Sequence, residues 1–409
     1  MRIVGLADSD SYVKWGAALL GTLGPEWERE LLVVETPLVV SDGQLSAALI
    51  GTGIPAATRV APADVAARLA ALRPDAVLVA APGPIGMVLM RMVATVDPRP
   101  VIVAGMPGIS IPVTRKALRF RRQADLMIVH SRREVREFAE LARERRWDNP
   151  LALATLPFAS HEPAAGTDLV FAAQAIVPRE RADRLTIARA LREAALADPA
   201  KRVVVKVRTV AGELQTHPED HAIPDLVAEL GPVPPNLVVA AGSMATALDT
   251  AESLVTVSST SVIEAIARGI PVIAIADFGV SAQLINEVFE GSGLLAPLSE
   301  VVGRRARHPA ASWLHDNYFH GAENDDWAGR LEGLVAARRA GALAARPAYL
   351  SRGGRMRAAW DRKQALGDAD RSLGGRAAIV VGVPARMVLR WGRRVRSRVT
   401  ARRSLHAPG

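Results

Sequence analysis

Four consecutive hydroxyl residues lie between an apolar run, Leu254–Val257, and a predicted helix that begins at Ser261. The N–H groups at a helix N-terminus, together with neighbouring hydroxyls, form a favourable site for a phosphate group. The structural alternative is that one Ser or Thr caps the helix while Glu264 adds a favourable charge to its first turn. Because one cap needs one hydroxyl, four of them favour a phosphate site. The four residues are Ser258, Ser259, Thr260 and Ser261.

Two segments of the N-terminal half carry further candidate residues for the acceptor side of a site. Gly105 and Gly108 follow a predicted strand, and glycines let a ligand approach the backbone closely. A plain loop is the structural alternative. His130 ends another predicted strand, where it either lines a site or is simply a polar residue at a strand end.

Residues 313–326 are dense in aromatic, histidine and acidic side chains, which raises the question of a metal site. His315 and His320 are five positions apart and therefore share no clean helical face. We interpret the segment as the chain crossing back between domains and predict no metal there.

Short apolar runs alternate with amphipathic stretches along the chain, which predicts parallel sheets covered by helices. The predicted strands of the first half are Arg2–Ala7, Leu31–Glu35, Ala76–Ala80, Val101–Ala104, Leu126–His130 and Leu151–Thr155, and its helices include Ser11–Leu23, Asp64–Leu72 and Arg132–Arg145. A linker is predicted at residues 157–167. The predicted strands of the second half are Arg202–Lys206, Leu237–Ala240, Leu254–Val257 and Val272–Ala276, with helices near Arg179–Leu196, Asp220–Leu230, Ser261–Arg268 and Ser281–Phe289.

This order of elements predicts an α/β protein with two Rossmann-like, doubly wound domains that face a cleft, followed by a basic C-terminal tail. The predicted boundaries are residues 1–160, 168–345 and 351–409. Ligands of such sheets bind beyond the carboxyl ends of the strands, so the hydroxyl segment and the residues after the first strand are expected to lie at ligand sites.

The sequence lacks the motifs of several common enzyme classes. The first strand runs into Gly5-Leu6-Ala7-Asp8-Ser9-Asp10, which is not the GxGxxG turn of a dinucleotide-binding dehydrogenase. The sequence contains no P-loop, no GxSxG and no HExxH motif. The absence of cysteine excludes disulfides, thiolate metal sites and cysteine nucleophiles.

The hydroxyl segment continues into Glu264-Ala265 and then Gly269-Ile-Pro-Val-Ile273, and His217-Pro218 precedes it by about 40 residues. This combination resembles the donor segment of GT-B-fold glycosyltransferases, in particular the Ser-Ser and His-Pro motifs of bacterial polysialyltransferases and capsule-type Kdo transferases. The resemblance covers mainly residues 200–280. It implies that the His217-Pro218 and Ser258–Ser259 pairs hold the phosphate of a nucleotide sugar and that Glu264 contacts the nucleoside. It implies neither a metal nor a separate cofactor. A surface histidine before a turn proline is the structural alternative for His217.

The same resemblance implies a carboxylate base near the end of an early N-terminal strand. Asp8 and Asp10 follow the first predicted strand, and partial desolvation would raise the pKa of either acid toward neutrality. The alternative is that Asp8 or Ser9 caps the following helix. Of the two acids, Asp10 is placed slightly ahead of Asp8. The acidic-acidic-Gly motif of polysialyltransferases is absent.

The basic excess is confined to the tail. From Ser351 onward there are 15 Lys and Arg residues against 3 Asp and Glu, whereas the first 350 residues hold 36 against 39. The net charge of +9 therefore does not indicate a nucleic-acid ligand for the body of the protein. Residues 376–403 mix apolar and Arg side chains, which predicts an interfacial helix, after Pro384, on anionic membrane. The alternatives to a membrane helix are a disordered basic tail and a nucleic-acid contact.

The N-terminus is typical of a first strand rather than a signal peptide, so we expect a cytoplasmic protein, peripheral on the inner face of the membrane. Taken together, the sequence predicts a metal-independent, inverting glycosyltransferase that moves a sugar from a nucleotide-activated donor to a glycan or lipid-linked acceptor. The resemblance points to a CMP-activated keto-sugar, with UDP-sugars left open. Two alternatives are a nucleotide-sugar epimerase of the UDP-GlcNAc 2-epimerase type and a non-catalytic nucleotide-sugar-binding protein at the membrane.

Overall fold

Two parallel β-sheets organise the computed structural model of the protein, which describes residues 1–157, 163–207, 220–346 and 353–382. The first sheet has seven strands in the order β3-β2-β1-β4-β5-β6-β7, and the second has six in the order β10-β9-β8-β11-β12-β13. The strands of the first sheet are β1 Arg2–Ala7, β2 Glu28–Val34, β3 Ala57–Val60, β4 Ala76–Ala80, β5 Val101–Gly105, β6 Leu126–Val129 and β7 Leu151–Leu153. Those of the second are β8 Asp168–Ala172, β9 Val203–Lys206, β10 Leu237–Ala240, β11 Ala251–Thr256, β12 Val272–Ile275 and β13 Leu295–Ala296.

Helices connect the strands and follow the second sheet. The helices are α1 Asp10–Gly21, α2 Asp42–Leu49, α3 Val65–Leu72, α4 Gly83–Val93, α5 Arg115–Phe120, α6 Arg132–Arg145, α7 Arg181–Ala197, α8 Ile223–Glu229, α9 Met244–Asp249, α10 Ser261–Ala267, α11 Leu298–Val302, α12 Ala311–Asp316, α13 Trp327–Arg339 and α14 Gly354–Leu366. Residues 373–382 are also helical. The central strands β1 and β4 are apolar and buried along almost their whole length, as expected for strands covered on both faces.

Each sheet has one point at which the strand order reverses direction. In the first sheet the chain builds outward from β1 through β2 to β3 and then returns to place β4 on the other side of β1. In the second sheet β8, β9 and β10 run one way, and β11 pairs with the opposite side of β8. Ligands of doubly wound sheets bind outside the carboxyl ends of the strands at such switch points. The residues that follow β1, β4, β8 and β11 are therefore the first places to look for a site.

Contacts between Cα atoms group the chain into two compact units. The first contains Met1–Ala104, Arg119–Leu126 and the described residues from Leu331 onward, and the second contains Gly105–Leu118 and the described residues of Met127–Arg330. Within the first unit, α1 lies close to β4, because a Cβ added to Gly16 would be 3.0 Å from the Cβ of Ala80. The apolar core of the second unit includes Phe171 of β8 and Val255 of β11.

Most of the strands and helices predicted from the sequence are present, and several have the predicted limits. Strands Arg2–Ala7, Ala76–Ala80 and Leu237–Ala240 and helix Arg132–Arg145 match their predictions residue for residue. The strand Asp168–Ala172 was missed, because the preceding Gly and Pro residues placed it next to a predicted linker. It is a central strand of the second sheet.

The prediction of a helix over Ser281–Phe289 is wrong, since only the 3₁₀ turn Glu287–Phe289 forms there. The buried side chain of Asn286 bonds back to the chain: its Oδ1 accepts from the N–H of Ser281 at 3.0 Å and its Nδ2 donates to the carbonyl of Gly279 at 2.9 Å. Ile285 has a left-handed φ of +57°, which ends any α-helix. Side-chain bonds to the backbone have replaced helical bonds here.

Candidate functional site

Asp8 lies directly beyond the carboxyl end of β1, at the switch point of the first sheet. Its side chain is fully buried. Oδ1 accepts a hydrogen bond from the Ser9 hydroxyl at 3.2 Å, whereas Oδ2 has no hydrogen-bond partner among the described residues. Burial raises the pKa of Asp8 to about 7, against the lowering effect of the Ser9 bond. A carboxyl group that titrates near neutral pH is suited to accept a proton from a substrate.

Asp10, the acid placed slightly ahead in the sequence analysis, is in a different environment. It is the first residue of α1 and is exposed to solvent. Ser9 is the N-cap of this helix, but its side chain makes no capping bond, and Asp8 precedes the cap. Neither predicted capping role is therefore seen, and burial favours Asp8 over Asp10 as the base.

Tyr12 and Arg121 stand close to Asp8 in the same unit. The Tyr12 hydroxyl and the buried Arg121 guanidinium are hydrogen-bonded to each other. Burial raises the pKa of the Tyr12 hydroxyl, and the negative charge of Asp8 raises it further. Tyr12 therefore remains a neutral donor beside the candidate base at neutral pH.

The hydroxyl segment lies at the switch point of the second sheet, as its position after a strand predicts. The N–H and the hydroxyl of Ser258, just beyond β11, donate to Oε1 of Gln174 at 2.9 and 3.2 Å. Gln174 itself follows β8. The Thr256 hydroxyl donates to the Ala172 carbonyl at 3.3 Å and accepts from the N–H of Ser259 at 3.2 Å. These bonds join the ends of β8 and β11 and fix the start of the segment.

The rest of the segment forms a turn with its own internal bonds. The Ser259 hydroxyl oxygen accepts from the N–H of Ser261 at 3.2 Å and from its hydroxyl at 2.8 Å. Thr260 is the N-cap of α10 and makes no side-chain capping bond. Ser258 and Ser261 are buried, whereas Ser259, Thr260 and Glu264 are half-buried. The four hydroxyls therefore do not act as a simple helix cap: Ser258, Ser259 and Ser261 shape the turn through their bonds, while Ser259 and Thr260 reach its surface.

The glycine loop after β5 packs against this turn. Gly108 has a φ of +108°, which favours glycine, and a Cβ added to it would lie 2.5 Å from Cγ2 of Thr260. Gly105 is the last residue of β5 and is buried. The loop predicted to serve the acceptor side is therefore in contact with the segment predicted to serve the donor.

His130 is fully buried rather than presented at a surface. Its Nδ1 donates to the carbonyl of Ala154 at 2.8 Å, and burial lowers the pKa of the ring to about 4. The imidazole is therefore neutral at pH 7 and ties the end of β6 to the residues after β7. This environment is that of a structural histidine, not of a substrate contact.

Two further residues with a place in this arrangement, Gln174 and Glu134, were not singled out from the sequence. Gln174 went unnoticed because β8 was missed. Glu134 is buried in the first turn of α6, four residues after His130, and accepts a bond from the hydroxyl of Tyr318. The pattern Ser131-x-x-Glu134 is a recognisable helix-start signal, although it does not reveal that the Glu side chain reaches beyond its own helix.

His217 and Pro218 lie outside the described residues, so their proposed contact with phosphate stays a prediction. In the described ranges, no group of three or more His, Asp and Glu side chains is arranged to hold a metal ion. The acids at the end of the 313–326 segment instead bond the backbone at the end of β7 and just beyond it: Asp326 accepts from Leu153 N at 2.7 Å and Asp325 from Thr155 N at 2.8 Å.

Comparisons with known proteins place this chain in a family. A family model described as "Putative glycosyltransferase (DUF6716)" matches residues 3–334. A structure described as a putative UDP-N-acetylglucosamine 2-epimerase from Listeria monocytogenes is 13% identical, with a TM-score of 0.53 over 82% of this chain and 95% of that one. The S. aureus MnaA–UDP structure is also 13% identical, with a TM-score of 0.52 over 83% and 97%. At such identity the likeness is one of fold. No curated protein matches the chain.

Proposed function

The chain belongs to the family described as "Putative glycosyltransferase (DUF6716)", and we propose that its reaction is metal-independent, inverting transfer of a sugar from a nucleotide-activated donor to a glycan or lipid-linked acceptor. The prediction of two Rossmann-like, doubly wound α/β sheets of the GT-B type is confirmed, and the protein is a glycosyltransferase of that fold. The observation that carries the proposal is the pair of switch points. One holds a buried acid with a pKa of about 7, and the other holds the hydroxyl turn.

The proposed chemistry assigns a separate role to each of these two positions. Asp8 removes the proton of the acceptor hydroxyl, and the acceptor oxygen attacks the anomeric carbon of the sugar. The bond from that carbon to the phosphate oxygen breaks, and the nucleotide leaves with the electron pair. The negative charge that develops on the departing phosphate is stabilised by the hydroxyls of the Ser258–Ser261 turn, with His217 as a further donor. Attack from the face opposite the leaving group inverts the anomeric configuration.

The nucleotide of the donor is the first property to measure. UDP, CMP, GDP and their sugar conjugates are each added to the protein, and its melting temperature is recorded. A nucleotide that binds the folded state raises that temperature by mass action. The motif resemblance favours CMP, whereas the S. aureus structure contains UDP. A rise with one pyrimidine nucleotide and release of that nucleotide only when an acceptor is present would support the transferase. No shift with any nucleotide would contradict it.

A nucleotide-sugar 2-epimerase is the second candidate, because the Listeria structure of the same fold is described as one. An epimerase interconverts its sugar nucleotide without an acceptor. Incubation of UDP-N-acetylglucosamine with the protein alone, followed by chromatographic separation of the sugar nucleotides, distinguishes the two reactions. A second sugar nucleotide formed without acceptor would favour the epimerase.

We further propose that the enzyme acts in the cytoplasm, at an anionic membrane surface. Within the described ranges no helix has the length and hydropathy of a membrane span. The helix at residues 373–382 exposes Leu373, Val380 and Val381, with exposed fractions of 81%, 73% and 57%, and Arg376 is exposed beside them. Exposed apolar side chains next to arginines suit the interface of anionic lipid. The predicted helix after Pro384 lies outside the described residues.

The membrane proposal predicts that the full chain sediments with vesicles containing phosphatidylserine and stays in solution with purely neutral vesicles. Val380→Asp with Val381→Asp is expected to reduce sedimentation several-fold, because two charges must then be desolvated at the interface. Val233→Asp is the matched control, since Val233 is also exposed, at 47%, and belongs to the second compact unit, whereas this helix belongs to the first. Equal sedimentation of the double variant and the control would contradict the proposal.

A further inference from the structure

Glu134 is a fully buried carboxylate that the proposed chemistry does not use. Its Oε1 accepts from the N–H of Ser110 at 2.8 Å and from the hydroxyl of Tyr318 at 2.6 Å. Its Oε2 accepts from the N–H of His130 at 2.8 Å. Three separate segments of the second unit therefore meet at one side chain.

The bond to Ser110 fixes one end of the glycine loop. Residues 106–110 form no strand or helix, and Gly108 in the middle of this loop packs on Thr260 of the hydroxyl turn. The other end of the loop continues from β5. Glu134 is therefore connected to the hydroxyl turn through this loop and does not contact the turn itself.

The bond to Tyr318 holds a third segment in place, and the backbone of that segment is strained at Tyr318. Tyr318 has a left-handed φ of +57°, a conformation that is costly for a residue with a side chain and that the surrounding bonds must hold in place. Burial raises the pKa of Glu134, while its hydrogen bonds lower it. A buried carboxyl with this many donors contributes to a unique arrangement only as long as all of them are satisfied.

We propose that Glu134 is a positioning residue, which holds the 106–110 loop against Thr260 and thereby keeps the Ser258–Ser261 turn in the shape that binds the donor. This inference rests on the proposed function of that turn. Glu134 does not touch the substrate. Its effect is on the fraction of molecules in which the turn is competent to bind, and the apparent affinity for nucleotide falls in proportion to that fraction.

Glu134→Gln is the main test, because it preserves the shape of the side chain but replaces one acceptor oxygen with an N–H₂ donor. Either the Ser110 side or the His130 side then faces a donor and loses its bond. Glu140→Gln is the matched control, on the same helix at an exposed position. The three proteins are compared by hydrogen exchange, by calorimetric titration with UDP and with CMP, and by kcat and donor KM.

The expected result for Glu134→Gln is faster amide exchange at Ser110 and in residues 258–261, with nucleotide Kd and donor KM raised about tenfold and kcat within about threefold of the native value. Glu140→Gln is expected to match the native protein in all three measurements. Native exchange in residues 258–261 together with native Kd in folded Glu134→Gln would overturn the proposal. An equal fall in kcat and in nucleotide affinity would also overturn the proposal, because it would indicate general damage to the fold.

Tyr318→Phe is the substitute test variant if Glu134→Gln does not fold. It removes one donor and leaves the backbone bonds to the carboxylate, so a smaller change in the same direction is expected, about threefold in Kd. Native exchange of residues 106–110 and 258–261 in this variant would overturn the proposal. The exchange measurement needs no ligand. If the native protein binds neither nucleotide and the variant still loosens residues 258–261, the proposed function fails while the positioning role stands.

Discussion

Asp8→Asn is expected to lose at least about a hundredfold in kcat, because an amide cannot accept the proton of the acceptor hydroxyl. Nucleotide affinity should remain close to native, since the donor turn belongs to the other compact unit. Asp10→Asn is the matched control: Asp10 is two residues away and exposed, and its loss should change kcat little. Steady-state kinetics with a saturating donor measure the effect. A fully active Asp8→Asn enzyme would contradict the assignment of the base.

The pH dependence of the native enzyme follows from the same group. Only the ionised Asp8 can act as a base, and burial raises its pKa to about 7. The value of kcat/KM should therefore be flat above about pH 7 and fall about tenfold for each pH unit below it. The acidic limb should be absent from the residual activity of Asp8→Asn.

The stability of Asp8→Asn should change in the opposite direction to its activity. The folded pKa of about 7 exceeds the ordinary aspartate value of 3.8, so the folded state binds more protons than the unfolded chain between these pH values. Native stability therefore falls as the pH rises from about 4 to about 7 and then levels off. The shift corresponds to at most about 4 kcal/mol, a cost that the neutral amide avoids at pH 8. Asp8→Asn should melt higher than the native enzyme at pH 8 and similarly at pH 4.

The double variant Ser258→Ala with Ser259→Ala is expected to lose about a hundredfold in kcat/KM, with weaker nucleotide binding as well as slower turnover. The Ser258 hydroxyl bonds to Gln174 at the switch point, and the Ser259 oxygen accepts both bonds from Ser261. Removing them deforms the turn and takes away the Ser259 donor to phosphate, at about tenfold for each lost bond.

Ser243→Ala is the control for this pair. Ser243 is the N-cap of α9 in the same unit, and its side chain accepts a bond from Thr246 N. Its loss costs about 1 kcal/mol of stability by removal of a helix cap. Nucleotide affinity should nevertheless stay native. If the double variant and Ser243→Ala show the same affinity, the hydroxyl turn does not hold the donor.

The features that could be predicted from the sequence were those that depend on residues adjacent to one another in the chain. The hydroxyl turn was found because an apolar run, four hydroxyls and a helix start follow one another, and each signal is short-range. The choice between Asp8 and Asp10 was not accessible, because two acids on either side of a helix cap differ only in burial. The surroundings of Asp8 include Tyr12, which is near in sequence, but also Arg121, which is distant in sequence.

The remaining parts of the site depend on long-range contacts. Glu134 lies 24 positions from Ser110 and 184 from Tyr318, so neither bond leaves a trace in local sequence. From the sequence His130 either lines a site or is simply a polar residue at a strand end, and its burial and its bond to the Ala154 carbonyl favour the second interpretation. Gln174 acquires its role only from the pairing of β8 with β11. Strand pairing of this kind decides which loops meet, and the sequence pattern does not determine it uniquely.

A crystal structure with UDP or CMP bound tests the central claim most directly. We expect phosphate oxygens within hydrogen-bond distance of the hydroxyls of Ser259 and Thr260, beyond the carboxyl ends of β8 and β11. Phosphate density separated from the whole Ser258–Ser261 turn by more than one layer of water would contradict it.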